Sequence, residues 1–295
     1  MGRSRSSSSG ESGYVSGSHS ESALPLVVFT NPQLRHINKQ LQHASPRDIL
    51  KWSLQTLPNL YQTTAFGLTG LVTLDMLSKL HKAEPHLPRI ELVFYDTLYS
   101  FPETLALLDR IRARYPEFTL HVYKPRGCET AADFEAKYGA KLWETDDARY
   151  DALAKVEPAD RAAAELNIGA TFTGRRRTQG AARNEIDIVE VDDKGLVKVN
   201  PLLNWSFKEV WDYVKANDVP YNELVDRGYK SIGDWHSTQP VKEGESERAG
   251  RWKGQDKTEC GIHNKRSKYA IYLEELARKE QEEAAKAQAS VEVTA

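Results

Sequence analysis

The chain has 295 residues, 40% of them apolar and 28% charged, with a formal net charge of −2 at pH 7. That is enough for one large domain or two small ones with a full core, and the near-neutral balance gives no general cue for nucleic acid or a membrane surface. Two cysteines, Cys128 and Cys260, exclude a disulfide framework and any four-thiolate zinc or iron–sulfur site within the chain, and they fit a reducing compartment.

Residues 1–23 are rich in Ser and Gly, cannot bury a core, and are expected to be a disordered tail. Gly2 matches the loose M-G-x-x-x-S acylation pattern, but the pattern is short and its surroundings are of low complexity. No secretory signal or membrane span is expected, because no apolar run has the length. Order is expected from Leu24. Asn31-Pro32 and Ser45-Pro46-Arg47-Asp48 each read as a cap followed by an early proline, which predicts two helices.

A strand–loop–helix rhythm follows. Strands are predicted at Asn59–Thr64, Ile90–Tyr95, Phe118–Tyr123 and Ile168–Thr173, and helices at Leu68–Lys82, Pro102–Arg114 and Glu129–Tyr138. The alternation predicts a doubly wound α/β sheet with helices on both faces. Ligands of such sheets sit beyond the strand C-termini. Ile186–Val191 and Leu196–Val199 predict a hairpin, and Ser206-Phe207-Lys208-Glu209 predicts a capped helix through Val214. The nucleotide-binding unit is placed at 24–235. Residues 236–264 are polar, Gly-containing and aperiodic, and are expected to be a mobile catalytic segment. Residues 265–295 are expected to be a charged helix and tail.

Four stretches carry chemistry. Thr63, Thr64, Ala65, Phe66 and Gly67 form a small-residue turn into a helix, suited to an anion, although an ordinary βα turn reads the same way. Asp96 and Thr97 follow an apolar strand, where an acid can hold a ribose or simply cap a turn. Gly174–Arg183 holds four arginines on the ligand-bearing edge, which favours phosphate, since guanidinium grips phosphate in bidentate fashion. No aromatic platform accompanies it, so nucleic acid is disfavoured. Finally, Cys260 lies in a polar, Gly-flanked run where seven Lys/Arg between Arg248 and Lys268 face two acids. Neighbouring cations favour thiolate, the nucleophilic form. Arg251, Lys253, Lys257, Lys265 and Arg266 are its candidate cationic neighbours, Arg251 and Lys253 foremost. Cys128 reads as a bystander. A lone activated thiol beside a polyanion site implies covalent attack, with the adduct resolved by a thiol from another protein.

These motifs, AFGLTGLVTLDML at 65–77, FYDTLYSFPET at 94–104, GRRRTQGAAR at 174–183 and GYKSIGDWHSTQPVKEGESERAGRWKGQDKTECGIH at 228–263, resemble the phosphoadenosine phosphosulfate (PAPS) reductase family in its fungal form. The resemblance runs from about Pro32 to His263. It implies an adenine-nucleotide α-hydrolase-like fold, a homodimer in the cytoplasm, PAPS as substrate, thioredoxin as external electron donor and no bound cofactor or metal. It further implies that Cys260 carries a transient S-sulfonate and that His263, the motif histidine, is a second catalytic residue. Thr63–Gly67, with Arg176, Arg177, Gln179 and Arg183, would hold the nucleotide. Related reductases of adenosine phosphosulfate (APS) carry a cysteine set for a [4Fe–4S] cluster, which this chain lacks. Rival readings are a cluster-free APS reductase, an ATP pyrophosphatase or adenylyl transferase of the same fold, whose Ser-Gly-Gly-x-Asp-Ser loop Thr63–Gly67 does not match, and a non-catalytic nucleotide-binding regulator, which would not need Cys260.

Overall fold

A computed structural model describes residues 29–180, 183–254, 257 and 259–263, with only the backbone of His263. The expected tail at 1–23 and the helix from Lys265 lie outside the described residues, as do Lys265 and Arg266. The first helix, α1 (Asn31–Leu41), is capped one residue earlier than expected. The Thr30 hydroxyl accepts the Gln33 N–H, and the Gln33 side chain accepts the Thr30 N–H, a reciprocal box that places Pro32 in the first turn. In α2 (Pro46–Thr56) Ser45 caps as expected, taking the Asp48 N–H at 3.2 Å.

Then come β1 (Leu60–Thr63), α3 (Leu68–Ala83), β2 (Leu92–Tyr95), α4 (Pro102–Arg114), β3 (Leu120–Tyr123) and α5 (Ala131–Tyr138). The strands are shorter than their apolar runs because Ile90 and Phe118 bury their side chains just outside the ladder. Residues 139–167, where the sequence predicts no element, contain α6 (Leu142–Thr145), α7 (Asp147–Asp151), a π turn (Ala152–Val156) and α8 (Glu157–Glu165). The π turn breaks the 3.6-residue apolar period, so the stretch does not read as one helix. The chain continues through β4 (Ala170–Phe172), β5 (Val189–Val191), β6 (Val197–Val199) and α9 (Phe207–Ala216), the last opened by the predicted Ser206–Glu209 capping box.

The strand order is β3-β2-β1-β4-β6-β5, parallel except for the β5–β6 hairpin. The predicted doubly wound sheet is therefore present. Its two faces follow from the period-2 alternation of each strand. Leu60, Leu92, Phe94 and Phe172 enter the main core with α2, α3, α4 and α9. Tyr61, Val93, Tyr95 and Tyr123 face the other way, where α8 supplies Ala162. A separate cluster gathers Tyr99, Cys128, Phe134, Leu142, Tyr150 and Ala154. Cys128 is a packed residue there, and burial raises its thiol pKa. Among the described residues no helix is long and apolar enough to cross a membrane.

The segment after residue 236 folds back on itself. The Gln239 N–H donates to the Gly250 carbonyl at 2.9 Å, beside an antiparallel bridge between Thr238 and Arg251. A Cβ on Gly250 would lie 2.0 Å from the Gln239 carbonyl oxygen, so only glycine lets the two backbones meet. Gly250→Ala should therefore destabilise the fold by roughly 1–3 kcal/mol, as overpacking does. Gly67→Ala, whose Cβ would meet nothing within 4 Å, should cost less, about 0.5–1 kcal/mol, the difference between glycine and alanine at the start of α3. Urea unfolding of both variants checks this, and equal midpoints would contradict the close approach.

Candidate active site

The chain leaves β1 to build β2 and β3 on one side, then returns to place β4 on the other. The crevice of a doubly wound sheet opens at that reversal. A cavity of about 260 Å³ lies there. It is lined by the loop after β1, the loop after β4, residues 230–234 and the segment carrying Cys260.

Thr63 to Gly67 line it. The Thr64 hydroxyl accepts the Phe66 N–H at 2.9 Å, and Phe66, at φ 53°, drops its ring into the core against Phe94. Gly67 starts α3 with no side-chain cap. A helix N-terminus left this way presents N–H groups and a positive dipole end to an anion. Thr97 reaches the cavity, whereas Asp96 does not: its carboxylate accepts the Leu98 N–H at 3.0 Å and closes a turn.

The arginine loop separates its members. Arg176 is 2% exposed and fully engaged, with Nε on the Thr69 hydroxyl at 2.9 Å and Nη2 on Glu247 at 2.5 Å. It thus ties the loop after β4 to the first turn of α3. Gln179 accepts the Arg176 N–H at 3.0 Å and also a bond from Arg183. Arg183 grips Glu259, the residue before Cys260, at 2.5 and 2.8 Å. Arg177 points elsewhere, to the Ile186 carbonyl, Asn204 and Asp187, and does not line the cavity. Ala181 and Ala182 lie outside the described residues.

Cys260 is half-buried and lines the same cavity. Of its expected cationic neighbours, Arg251 lines the cavity while Lys253 is exposed. Arg251 is stacked on Trp252, 4.4 Å from the ring centroid, and its Nε has no hydrogen-bond partner among the described residues. Arg248 joins it, contacting Glu259 at 3.3 Å. Burial, then the neighbouring Arg183, lowers the Arg248 pKa to about 10, so it remains a cation at neutral pH. The side chain of His263, the expected second catalytic residue, lies outside the description.

Three residues that the motifs do not single out complete the site. Lys155 is buried between Asp151 and Asp234, 2.9 Å from each. Burial opposes its charge, but the two carboxylates prevail and its pKa is raised. Asp234 also accepts the Thr97 hydroxyl at 2.6 Å and the Tyr150 hydroxyl at 3.1 Å. Burial opposes its ionisation too, yet Lys155 and Thr97 hold its pKa down to about 2. The available signal was a lysine inside the apolar run Ala152-Leu153-Ala154-Lys155-Val156. In all, seven Lys/Arg side chains line the cavity against two carboxylates, Asp234 and Glu259. Lys155, Arg248 and Arg251 each interact electrostatically with Cys260. The lining also holds the apolar residues Phe207, Val225 and Ile232, with the Lys230 ammonium 5.7 Å from the Phe207 ring centroid. A cavity lined this way suits an anion and presents a sulfur to it.

The chain is similar to known proteins. A family model described as "Phosphoadenosine phosphosulfate reductase domain" matches residues 59–240. A phosphoadenosine phosphosulfate reductase of Emericella nidulans is 62% identical over 93% of this chain and 89% of its own. That of Saccharomyces cerevisiae is 58% identical, over 85% and 97% respectively. The crystal structure of a phosphoadenylyl-sulfate reductase from Candida auris, a phosphate complex, superposes with a TM-score of 0.66 at 48% identity, covering 73% of this chain and all of that one.

His236 packs flat on Trp143, 4.2 Å between centroids, with Nε2 unpartnered and Asp234 3.7 Å away. Burial lowers its pKa from 6.5 to about 4 despite the pull of Asp234, so the folded protein holds it neutral. The stability it contributes is whole above pH 6.5 and is lost as pH falls to about 4. A gap of roughly 2.5 pH units is worth at most about 3 kcal/mol. In urea unfolding at pH 7 and pH 4.5, His236→Gln should lose less stability on acidification than wild type. Identical losses would contradict a buried neutral imidazole.

Proposed function

The chain belongs to the phosphoadenosine phosphosulfate reductase family, and from that premise we propose that it reduces PAPS to sulfite and adenosine 3′,5′-bisphosphate with Cys260 as nucleophile. The observation that carries this reading is the cavity itself: one thiol shares a crevice at the switch point of the sheet with seven Lys/Arg side chains, several of them held in place by carboxylates behind the lining. A substrate with a phosphosulfate, a second phosphate and an adenine ring matches that cationic lining and its apolar residues.

The first turn of α3 and the loop Thr63–Gly67 take the phosphosulfate, whose charge complements uncapped N–H groups. Arg183 is the arginine-loop member we assign to the ribose phosphate, with Gln179 orienting it. Arg176 acts from behind by holding the two loops together. Arg248, Arg251 and Lys155 surround the reacting sulfonate, where fixed cations stabilise charge passing through the transition state. The buried, unpartnered Nε of Arg251 is a donor suited to a sulfonate oxygen.

The chemistry balances in two stages. The Cys260 thiolate attacks the sulfur of the sulfonate, the bridging S–O bond breaks, and the nucleotide departs with both electrons of that bond. Cys260 then carries –S–SO₃⁻. A thiolate of a thioredoxin-type dithiol attacks the Cys260 sulfur, sulfite leaves, and the second thiol of the donor resolves the mixed disulfide. The dithiol supplies the two electrons that take sulfate sulfur to sulfite. The family resemblance brings with it a homodimer and a reducing, cytoplasmic setting, in keeping with two free cysteines.

Intact-mass analysis after adding PAPS without any thiol tests this reading. We expect one sulfonate adduct per chain, on the Cys260 peptide, retained in Cys128→Ser and lost in Cys260→Ser. Thioredoxin should discharge it as one equivalent of sulfite. An adduct on Cys128, or turnover by Cys260→Ser, would overturn the assignment.

A further inference from the structure

The helix carrying Lys155 is irregular at the point where it meets the nucleophile segment. α7 runs through the π turn Ala152–Val156 into α8. π turns locally widen a helix and concentrate at functional sites. Here Asp151 and Lys155, four residues apart, are both buried and joined at 2.9 Å.

The second carboxylate oxygen of Asp151 faces the Cys260 segment. It takes the Lys257 ammonium at 2.6 Å and the Gly261 N–H at 3.2 Å. These partners bracket the cysteine, three residues before it and one after. The seat admits no side chain at 261: a Cβ there would lie 2.9 Å from Val156 Cγ2 and 3.6 Å from Asp151 Cβ. Lys257 is further held by Asp147 at 2.8 Å. Behind Asp151, Lys155 passes the anchorage on to Asp234, and Asp234 to Thr97 at the end of β2. Asp151 itself does not line the cavity.

We propose that Asp151 is a positioning residue: its carboxylate latches Lys257 and the Gly261 N–H and so fixes the Cys260 sulfur at the cavity. The proposal rests on Cys260 being the nucleophile. Glu259, gripped by Arg183 and Arg248, holds the segment from its other side. Cys260 is therefore clamped at both flanks, with one clamp built from Arg183 of the loop after β4 together with Arg248, and the other from Asp151 at the end of α7. Asp151 touches no substrate, so it affects reaction through the sulfur's placement.

Asp151→Asn and Lys257→Ala in the full chain test this. At saturating PAPS, single-turnover formation of the Cys260 adduct should slow about 100-fold in Asp151→Asn and about tenfold in Lys257→Ala, with the affinity for adenosine bisphosphate kept within about threefold, as a small misplacement of a reacting atom implies. Without nucleotide, alkylation of Cys260 by iodoacetamide should speed up in both, because the sulfur is released from its seat. A purely structural lesion would instead weaken nucleotide binding in step with the rate. Wild-type adduct rates in both variants, or rate losses matched by equal losses of affinity, would overturn the latch. Should Asp151→Asn not fold, Lys257→Ala decides alone, since its side chain reaches the latch from the segment. Should wild type form no adduct, the Cys260 reading fails, and alkylation alone then judges the latch: faster upholds it, unchanged overturns it.

Discussion

An ammonium enclosed by protein must find fixed negative charge, or it would lose its proton or unfold its surroundings. Lys155 is in that position, and the two carboxylates that satisfy it organise much of what surrounds the cavity. Asp234 draws in the hydroxyls of Thr97 and Tyr150, which ties residues 231–237 to the end of β2. Asp151 draws in Lys257 and the backbone after Cys260. Removing one partner of a buried pair typically costs about 3–5 kcal/mol, because the remaining charge is stranded. The network therefore specifies one arrangement of four separate stretches of chain.

Onto this frame the protein places an excess of positive charge. Several of the cavity's arginines already have carboxylate partners: Arg175 has Glu190, Arg176 has Glu247 and Arg183 has Glu259. These pairs hold the guanidinium groups in fixed orientations before any substrate arrives. An anion reaching the site then meets preorganised donors instead of flexible ones, which is where electrostatic catalysis gains most. The pairing of Arg183 with Glu259 also links the loop after β4 directly to the residue beside the thiol.

The sheet was legible in the sequence because its signals are local. Apolar runs, Pro at helix starts and the Ser206–Glu209 box each act within a few residues. The edge on which function gathers followed from the βα alternation alone. Side-chain direction within the loops was not legible. Arg176 and Arg177 are adjacent, yet one is sealed in the core of the site and the other turns to Asp187. Asp96 and Thr97 divide in the same way. Lys155, Asp151 and Asp234 were missed for a different reason: their partners are distant in sequence, and the π turn hides the period that would have marked the helix.

In the proposed reaction these arrangements serve one event, the transfer of a sulfonate from a nucleotide oxygen to the Cys260 sulfur. The most direct measurement follows the bridging oxygen of PAPS labelled with ¹⁸O between phosphorus and sulfur. Attack at sulfur breaks the S–O bond, so the label should appear wholly in the 5′-phosphate of the released adenosine bisphosphate, with none in the sulfite. Label in the released sulfur oxyanion would mean that the P–O bond had broken, and would contradict the account.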